Sequence, residues 1–152
     1  MGDLGDGDNV GELLIGGDGF ESGPCYAWIV TSEWATGGTL QLAQAPYRLR
    51  GVADTGCGGS TAAADIDGDG LDDALVGAPV NAGAVYLMHA EDLHTQFRDY
   101  TLEDDSAMVL RGDEASRLGS AIAPLSDFDG DGVADFAVGA PVGAGGHVYV
   151  FT

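Results

Sequence analysis

Two short turns carry acidic side chains at alternate positions, DIDGDGLDD at residues 65–73 and DFDGDGVAD at residues 127–135. The regularly spaced acids are Asp65, Asp67, Asp69 and Asp73 in the first turn, and Asp127, Asp129, Asp131 and Asp135 in the second. Carboxylates held close together around a glycine turn repel one another unless a cation lies between them. Oxygen ligands in a flexible loop favour Ca²⁺ over Mg²⁺, which demands a tighter octahedron. The spacing therefore predicts two calcium sites, each with a further ligand from a backbone carbonyl, Leu71 or Val133.

Two rival interpretations of these turns make different demands on the sequence. An EF-hand needs a Glu at position 12 of its loop and a helix on each side. Position 12 is Val76 in one turn and Val138 in the other, and each lies within an apolar run. The EF-hand is therefore excluded. An acidic surface turn without metal is the other alternative, and the repetition of one spacing argues against it.

A third acidic turn, DLGDGDNVGE at residues 3–12, is one residue longer than the other two. If Gly5 is an insertion, four acids and one backbone carbonyl fall at ligand positions: Asp3, Asp6, Asp8, Val10 and Glu12. Asn9 then replaces the turn glycine, and Asn tolerates the left-handed conformation that such a turn requires. A third calcium site is predicted here.

The elements that must position these turns are β-strands. Each turn runs into a short apolar stretch closed by glycine, and a second stretch rich in valine and tyrosine follows, AVYLM at 84–88 and HVYVF at 147–151. The tripeptide LRG at 49–51 recurs at 110–112, so the pattern repeats about every 61 residues. Four strands per repeat of this length are typical of a β-propeller blade. Segment 91–106 is interpreted as an inter-strand loop.

The composition excludes several classes of function. The chain has 152 residues, 26 glycines and a formal net charge of -20, and such a surface repels nucleic acid and anionic membranes. The sequence lacks an apolar run long enough for membrane insertion. Cys25 and Cys57 permit one disulfide without proving it. One all-β domain is therefore expected.

The succession of acidic loop, apolar strand, Gly-Ala-Pro and Gly-x-Val-Tyr resembles the FG-GAP repeat of the integrin α-subunit propeller and its bacterial relatives. The resemblance implies four-stranded antiparallel blades in which a calcium loop joins the first and second strands. The chain departs from the family pattern at the Phe-Gly pair, which is Cys57-Gly58 in one copy and Leu118-Gly119 in the next. The first copy also lacks Gly-Ala-Pro.

The chain length corresponds to about two and a half blades. The predicted division is a partial blade at 1–45, a full repeat at 46–106 and a partial blade at 107–152. The propeller is incomplete unless other chains or further sequence complete it. Three alternatives stay open: a fragment of a longer propeller, copies packed into a ring or filament, and a stand-alone stack.

No nucleophile elbow or phosphate-binding loop is found in the sequence, and His89, His94 and His147 are interpreted as surface histidines rather than a zinc triad. The chain is predicted to be a non-catalytic, extracellular, secreted or surface-displayed calcium-binding module. Its role would be adhesion, binding of a protein or glycan ligand, or structural assembly with other copies of itself. The alternative is an accessory propeller domain, or a fragment, of a larger secreted enzyme such as a hydrolase. Asp69→Ala and Asp131→Ala are each expected to lower calcium-dependent stability, whereas Asp99→Ala, outside the repeat, is expected to do little.

Overall fold

The computed structural model describes residues 3–4, 8, 10–17, 23–34, 37–93, 99–143 and 145–152. These residues form eleven strands, one short α-helix and two 3₁₀ turns. The strands are β1 (Leu13–Gly17), β2 (Tyr26–Val30), β3 (Tyr47–Arg50), β4 (Ser60–Ala64), β5 (Asp73–Ala78), β6 (Ala84–Met88), β7 (Asp99–Thr101), β8 (Met108–Arg111), β9 (Ala121–Pro124), β10 (Phe136–Ala140) and β11 (His147–Phe151). The helix is α1 (Leu102–Asp105), and the 3₁₀ turns are Leu42–Gln44 and Ala90–Leu93.

The strands form three sheets that follow one another in chain order, except that β7 returns to the first sheet. The first sheet has the order β1-β2-β3-β7, the second β4-β5-β6-β8, and the third β9-β10-β11. Every pairing is antiparallel except that of β3 with β7. Strand β4 contacts both β1 and β9, so the second sheet lies between the other two. The prediction of an all-β chain of propeller blades is confirmed, whereas the division at residues 45 and 106 stays a prediction.

The second sheet is covered on both faces, and its two central strands are buried along their whole length. Successive side chains of a strand point to opposite faces. Val76 and Tyr86 accordingly pack toward the first sheet, while Leu75 and Leu87 pack against Phe136 of the third. Continuous apolar runs are expected of strands covered on both faces. This explains why ALVGA and AVYLM show no polar alternation.

Glycines set the distance between neighbouring sheets. A Cβ on Gly16 would overlap with the carbonyl of Gly58, and one on Gly77 would overlap with the carbonyl of Gly119. Gly58 and Gly119 have positive φ values of 84° and 87°, which glycine adopts without strain. The glycines of the two repeated motifs therefore meet across each junction between sheets.

The segment interpreted as a loop, 91–106, contains an additional strand. Strand β7 pairs with β3 of the first sheet, and the register places Asp99 beside Arg48. The guanidinium Nε lies 2.5 Å from one carboxylate oxygen of Asp99, and Nη2 lies 2.7 Å from the other. This carboxylate therefore links two strands that are distant in sequence, and the small effect of its replacement on calcium-dependent stability stays a prediction. A three-residue strand carries too little periodicity to be seen in the sequence.

A disulfide joins Cys25 to Cys57, with a Cα–Cα distance of 5.4 Å. Cys25 lies just before β2 of the first sheet, and Cys57 lies just before β4 of the second. This disulfide, which the sequence permitted without proving, therefore ties the first sheet to the second.

In the described part of the chain, no helix is both long and apolar enough to cross a membrane.

Candidate metal-binding loops

The acidic turns lie where the resemblance placed them, between the first and second strands of a sheet. One connects β4 to β5, and the other connects β9 to β10. We call them the second loop (65–73) and the third loop (127–135), and we call residues 3–12 the first loop. Each of the second and third loops leads directly into the central strand of its sheet, so a change in loop geometry acts on the strand that carries the core.

In the second loop, Asp65, Asp67 and Asp69 each offer a carboxylate oxygen, and the three oxygens lie within 4.8 Å of one another. Backbone amides orient these carboxylates. Asp65 accepts hydrogen bonds from the amides of Gly68 (2.8 Å) and Gly70 (3.0 Å). At this separation, each pair of charges repels by about 1 kcal/mol even in a water-like dielectric. A divalent ion among these oxygens would turn the repulsion into attraction.

Asp73 closes the second loop from inside the core. Its side chain is buried, and its two oxygens accept hydrogen bonds from the amides of Ile66 (2.9 Å) and Ala90 (2.9 Å). Burial raises the pKa of Asp73 above its ordinary value, and the two amide hydrogen bonds offset part of that effect. Asp73 therefore holds both ends of the loop together.

The third loop repeats this arrangement. Asp127, Asp129 and Asp135 form a group with oxygens within 4.8 Å of one another. The amides of Gly130 and Gly132 donate to Asp127 at 2.6 and 3.0 Å. The buried Asp135 accepts from the amide of Phe128, the counterpart of Ile66. Asp131 is not in this group, although it occupies the position of Asp69.

The first loop shows the same hydrogen bonds at its two ends. The amide of Leu4 donates to the buried carboxylate of Glu12 at 2.8 Å, as Ile66 does to Asp73. The amide of Val10 donates to Asp8 at 2.7 Å, as Leu71 does to Asp69 at 2.8 Å. These contacts support the alignment of Asp8 and Glu12 with the other loops. Asp6 lies outside the described residues.

Backbone hydrogen bonds connect each loop to the next. The amide of Asp72 in the second loop donates to the carbonyl of Asp3 in the first, at 2.8 Å. The amide of Ala134 in the third loop donates to the carbonyl of Asp65 in the second, at 3.2 Å. The donor precedes the closing acid and the acceptor belongs to the first acid in both cases. The three loops therefore form one hydrogen-bonded row at the strand ends of the stacked sheets.

The donor set fits a hard divalent cation. Carboxylate oxygens dominate both groups, and Ca²⁺ takes six to eight such ligands at 2.3–2.6 Å in variable geometry. The amides of Leu71 and Val133 donate to Asp69 and Asp131. That their carbonyls are also ligands stays a prediction, as does the ligand role of each acid.

His89 was interpreted as a surface histidine, but its imidazole lies against acidic side chains of the second loop. It follows β6, and its Nδ1 lies 3.1 Å from Asp67 and 3.4 Å from Asp73. The sequence carried no signal for this contact, because it depends on how the chain turns after β6. His147 is exposed on β11, as expected, and His94 lies outside the described residues.

Comparison with known proteins places these loops in a family context. Residues 58–88 and 118–151, which include the second and third loops, match the family model of the FG-GAP repeat. Bovine phosphatidylinositol-glycan-specific phospholipase D is 40% identical over 120 residues, covering 70% of this chain and 13% of that protein. Human integrin alpha-IIb is 35% identical over 167 residues, covering 96% of this chain and 14% of that protein. Integrin alpha-5 of Xenopus laevis is 36% identical over 101 residues, with corresponding shares of 62% and 10%. The chain thus spans between 10% and 14% of the length of these relatives.

Proposed function

We propose that this chain, whose residues 58–88 and 118–151 are FG-GAP repeats, is a calcium-stabilised propeller module for adhesion, ligand binding or assembly outside the cell. The observation that carries the proposal is the repetition of one loop geometry between the same two strands of successive sheets. In each of the second and third loops, three carboxylates converge within 4.8 Å and amides of the same loop orient them.

Calcium would act on stability rather than on chemistry. The proposed ligands are Asp65, Asp67, Asp69, Leu71 and Asp73 in the second loop, their counterparts Asp127, Asp129, Asp131, Val133 and Asp135 in the third, and Asp3, Asp6, Asp8, Val10 and Glu12 in the first. An ion that binds only the folded loop stabilises the fold by RT ln(1 + [L]/Kd). At 100-fold excess over Kd, this gives about 2.7 kcal/mol per site.

The row of hydrogen bonds between loops extends this effect beyond a single sheet. Asp65 contributes its side chain to the proposed site of the second loop and its carbonyl to the amide of Ala134 in the third. An ion that fixes Asp65 would therefore also fix the carbonyl that accepts the hydrogen bond from Ala134 of the third loop. Calcium at successive loops would hold neighbouring blades at a set distance, which suits a binding surface built across several blades.

An extracellular location is consistent with two features of the chain. The disulfide between Cys25 and Cys57 is of a kind that persists in oxidising compartments. Exposed loops of this type also suit the high calcium concentration outside cells, where weak affinity is sufficient. The proposed partners are calcium, further blades from the same or another chain, and a protein or glycan ligand.

Calcium titration of the metal-stripped chain by calorimetry tests the proposal. We expect at least two bound ions and a melting temperature that rises by about 5 to 11 °C per saturated site, from 2.7 kcal/mol and 2–4 °C per kcal/mol. Asp69→Asn and Asp129→Asn should each remove one ion. Glu114→Gln, which removes one charge from an exposed turn outside the loops, should remove none. Equal melting temperatures in calcium and in chelator would refute the proposal.

A second candidate function is an accessory domain of a larger secreted enzyme. The similarity to phosphatidylinositol-glycan-specific phospholipase D favours it. In that case the described repeats would still be non-catalytic, and the reacting groups would belong to another domain. The parent reading frame separates the two candidates, because a catalytic domain beside the repeats supports the enzyme and its absence supports the module.

A further inference from the structure

His89 places one imidazole nitrogen close to carboxylate oxygens of the second loop. His89 lies at the start of the turn after β6, and its Nδ1 is shielded from solvent without a hydrogen bond to any described residue. The same atom lies 3.1 Å from Oδ2 of Asp67 and 3.4 Å from Oδ1 of Asp73. One oxygen from each of these carboxylates, together with the imidazole nitrogen, falls within 4.8 Å of the other two.

Backbone amides hold both carboxylates in place for this contact. Asp67 uses Oδ1 to accept from the amide of Asp69 at 3.1 Å and presents Oδ2 to the imidazole. Asp73 is fixed by the amides of Ile66 and Ala90, and Ala90 is the residue next to His89. Outer hydrogen bonds of this kind orient metal ligands and strengthen binding. The two carboxylates are therefore oriented before any ion arrives.

The two separations from the imidazole nitrogen are compatible with a small tetrahedral ion. Zinc binds imidazole nitrogen at 2.0–2.1 Å and carboxylate oxygen at 2.0–2.2 Å in a tetrahedron, which separates neighbouring ligand atoms by about 3.3 to 3.5 Å. The observed separations of 3.1 and 3.4 Å are close to this edge length. Imidazole is also a ligand that Zn²⁺ and similar ions favour, whereas calcium prefers oxygen.

We propose that the second loop also binds a divalent transition ion of the zinc class, through Nδ1 of His89 and the carboxylates of Asp67 and Asp73, with water completing the tetrahedron. Thr152 follows β11 where His89 follows β6, so the third loop lacks the imidazole. The two loops are thereby distinguished: the third loop offers only oxygen, and at the second loop a zinc-class ion competes with calcium for Asp67 and Asp73.

Co²⁺, which reports tetrahedral coordination by its visible absorption, tests this proposal in the metal-stripped chain, and Zn²⁺ calorimetry gives the affinity. We expect one Co²⁺ per wild-type chain, displaced by one equivalent of Zn²⁺. His89→Gln should weaken binding by at least about 100-fold, because loss of an outer-shell partner alone costs 10- to 100-fold. His147→Gln, a matched change on exposed β11, should leave binding unchanged.

Calcium titration of the same variants separates this proposal from the preceding one. His89→Gln should keep the calcium response of the third loop, which also shows that the variant is folded. If wild type takes up no stoichiometric Co²⁺, or if His89→Gln binds it as tightly as wild type, the zinc-class site does not exist. Loss of binding in a His94→Gln variant with His89 intact would also overturn it. A chain that binds Co²⁺ at His89 but does not respond to calcium would refute only the calcium proposal.

Discussion

The contact between glycines of neighbouring sheets allows a sharp test of the stacked arrangement, by the single change Gly77→Ala. A methyl group at this position would overlap with the carbonyl of Gly119 in the third sheet and with the hydroxyl of Ser60. That hydroxyl already donates to the same carbonyl at 2.6 Å. The backbone of Gly77 itself suits alanine, because its φ is not positive, so the expected cost is purely steric.

The magnitude follows from the atoms that must move. Extra methylene groups in a well-packed core cost about 1 to 3 kcal/mol. The upper end applies to Gly77 because a backbone carbonyl, rather than a flexible side chain, is in the way. A loss of about 3 kcal/mol corresponds to a melting temperature lower by about 6 to 12 °C for a chain of this size.

The matched control is Gly139→Ala, at the equivalent position of the third sheet. A Cβ there would meet the Cβ of Ala121 at 3.6 Å, an ordinary contact. Replacing glycine by alanine where the backbone permits stabilises a protein by about 0.4 to 1 kcal/mol through the unfolded state. The two variants are therefore expected to differ in sign. Thermal unfolding by calorimetry, with light scattering to show that each sample is monomeric, measures the difference. Equal destabilisation of both monomers would contradict the proposed contact between sheets.

Four further predictions concern contacts that hold the sheets and loops. Replacing Cys25 and Cys57 together by serine should lower the free energy of unfolding by about 3 to 4 kcal/mol, because the disulfide closes a loop of 32 residues in the unfolded chain. Denaturant unfolding of the variant and of wild type measures this loss. An unchanged midpoint would show that the bond does not form. Asp99→Asn should cost about 0.2 to 1 kcal/mol, since both partners are partly exposed, and a double-mutant cycle with Arg48→Gln should show coupling of that size rather than additivity. Asp73→Ala should cost about 2 kcal/mol or more even in chelator, because it leaves the amides of Ile66 and Ala90 without their acceptor. Asp69→Asn should destabilise only when calcium is present, and a calcium-independent loss as large as that of Asp73→Ala would show that Asp69 is structural.

The sequence predicted the features that depend on local repetition. Alternate acids around glycine marked the loops, and apolar runs closed by glycine marked the central strands β5 and β10. The family resemblance correctly placed the loops between the first and second strands. Each of these features is encoded within about ten residues, so a single stretch of sequence is sufficient to show it.

Contacts between distant segments were not predictable in the same way. Strand β7 pairs with β3 across 51 residues of sequence, and three residues are too few to show a period. The position of His89 over Asp67 depends on the turn after β6, which has no distinctive composition. The sequence could not decide between a disulfide and two free cysteines, because the distance between Cys25 and Cys57 is set by the packing of two sheets. Tyr149, the counterpart of the buried Tyr86, is 41% exposed on β11, since no described strand pairs with the outer edge of β11.

The most direct test of the account is amide hydrogen exchange in the loops, compared between calcium and chelator at equal ionic strength. With calcium at 100-fold excess over Kd, the amides of residues 65–73 and 127–135 should exchange about 100-fold more slowly. Amides of the turn at residues 113–117, which lies outside the loops, should exchange at the same rate in both conditions. If the loop amides exchange equally fast with and without calcium, no ion holds these loops, and the central claim is wrong.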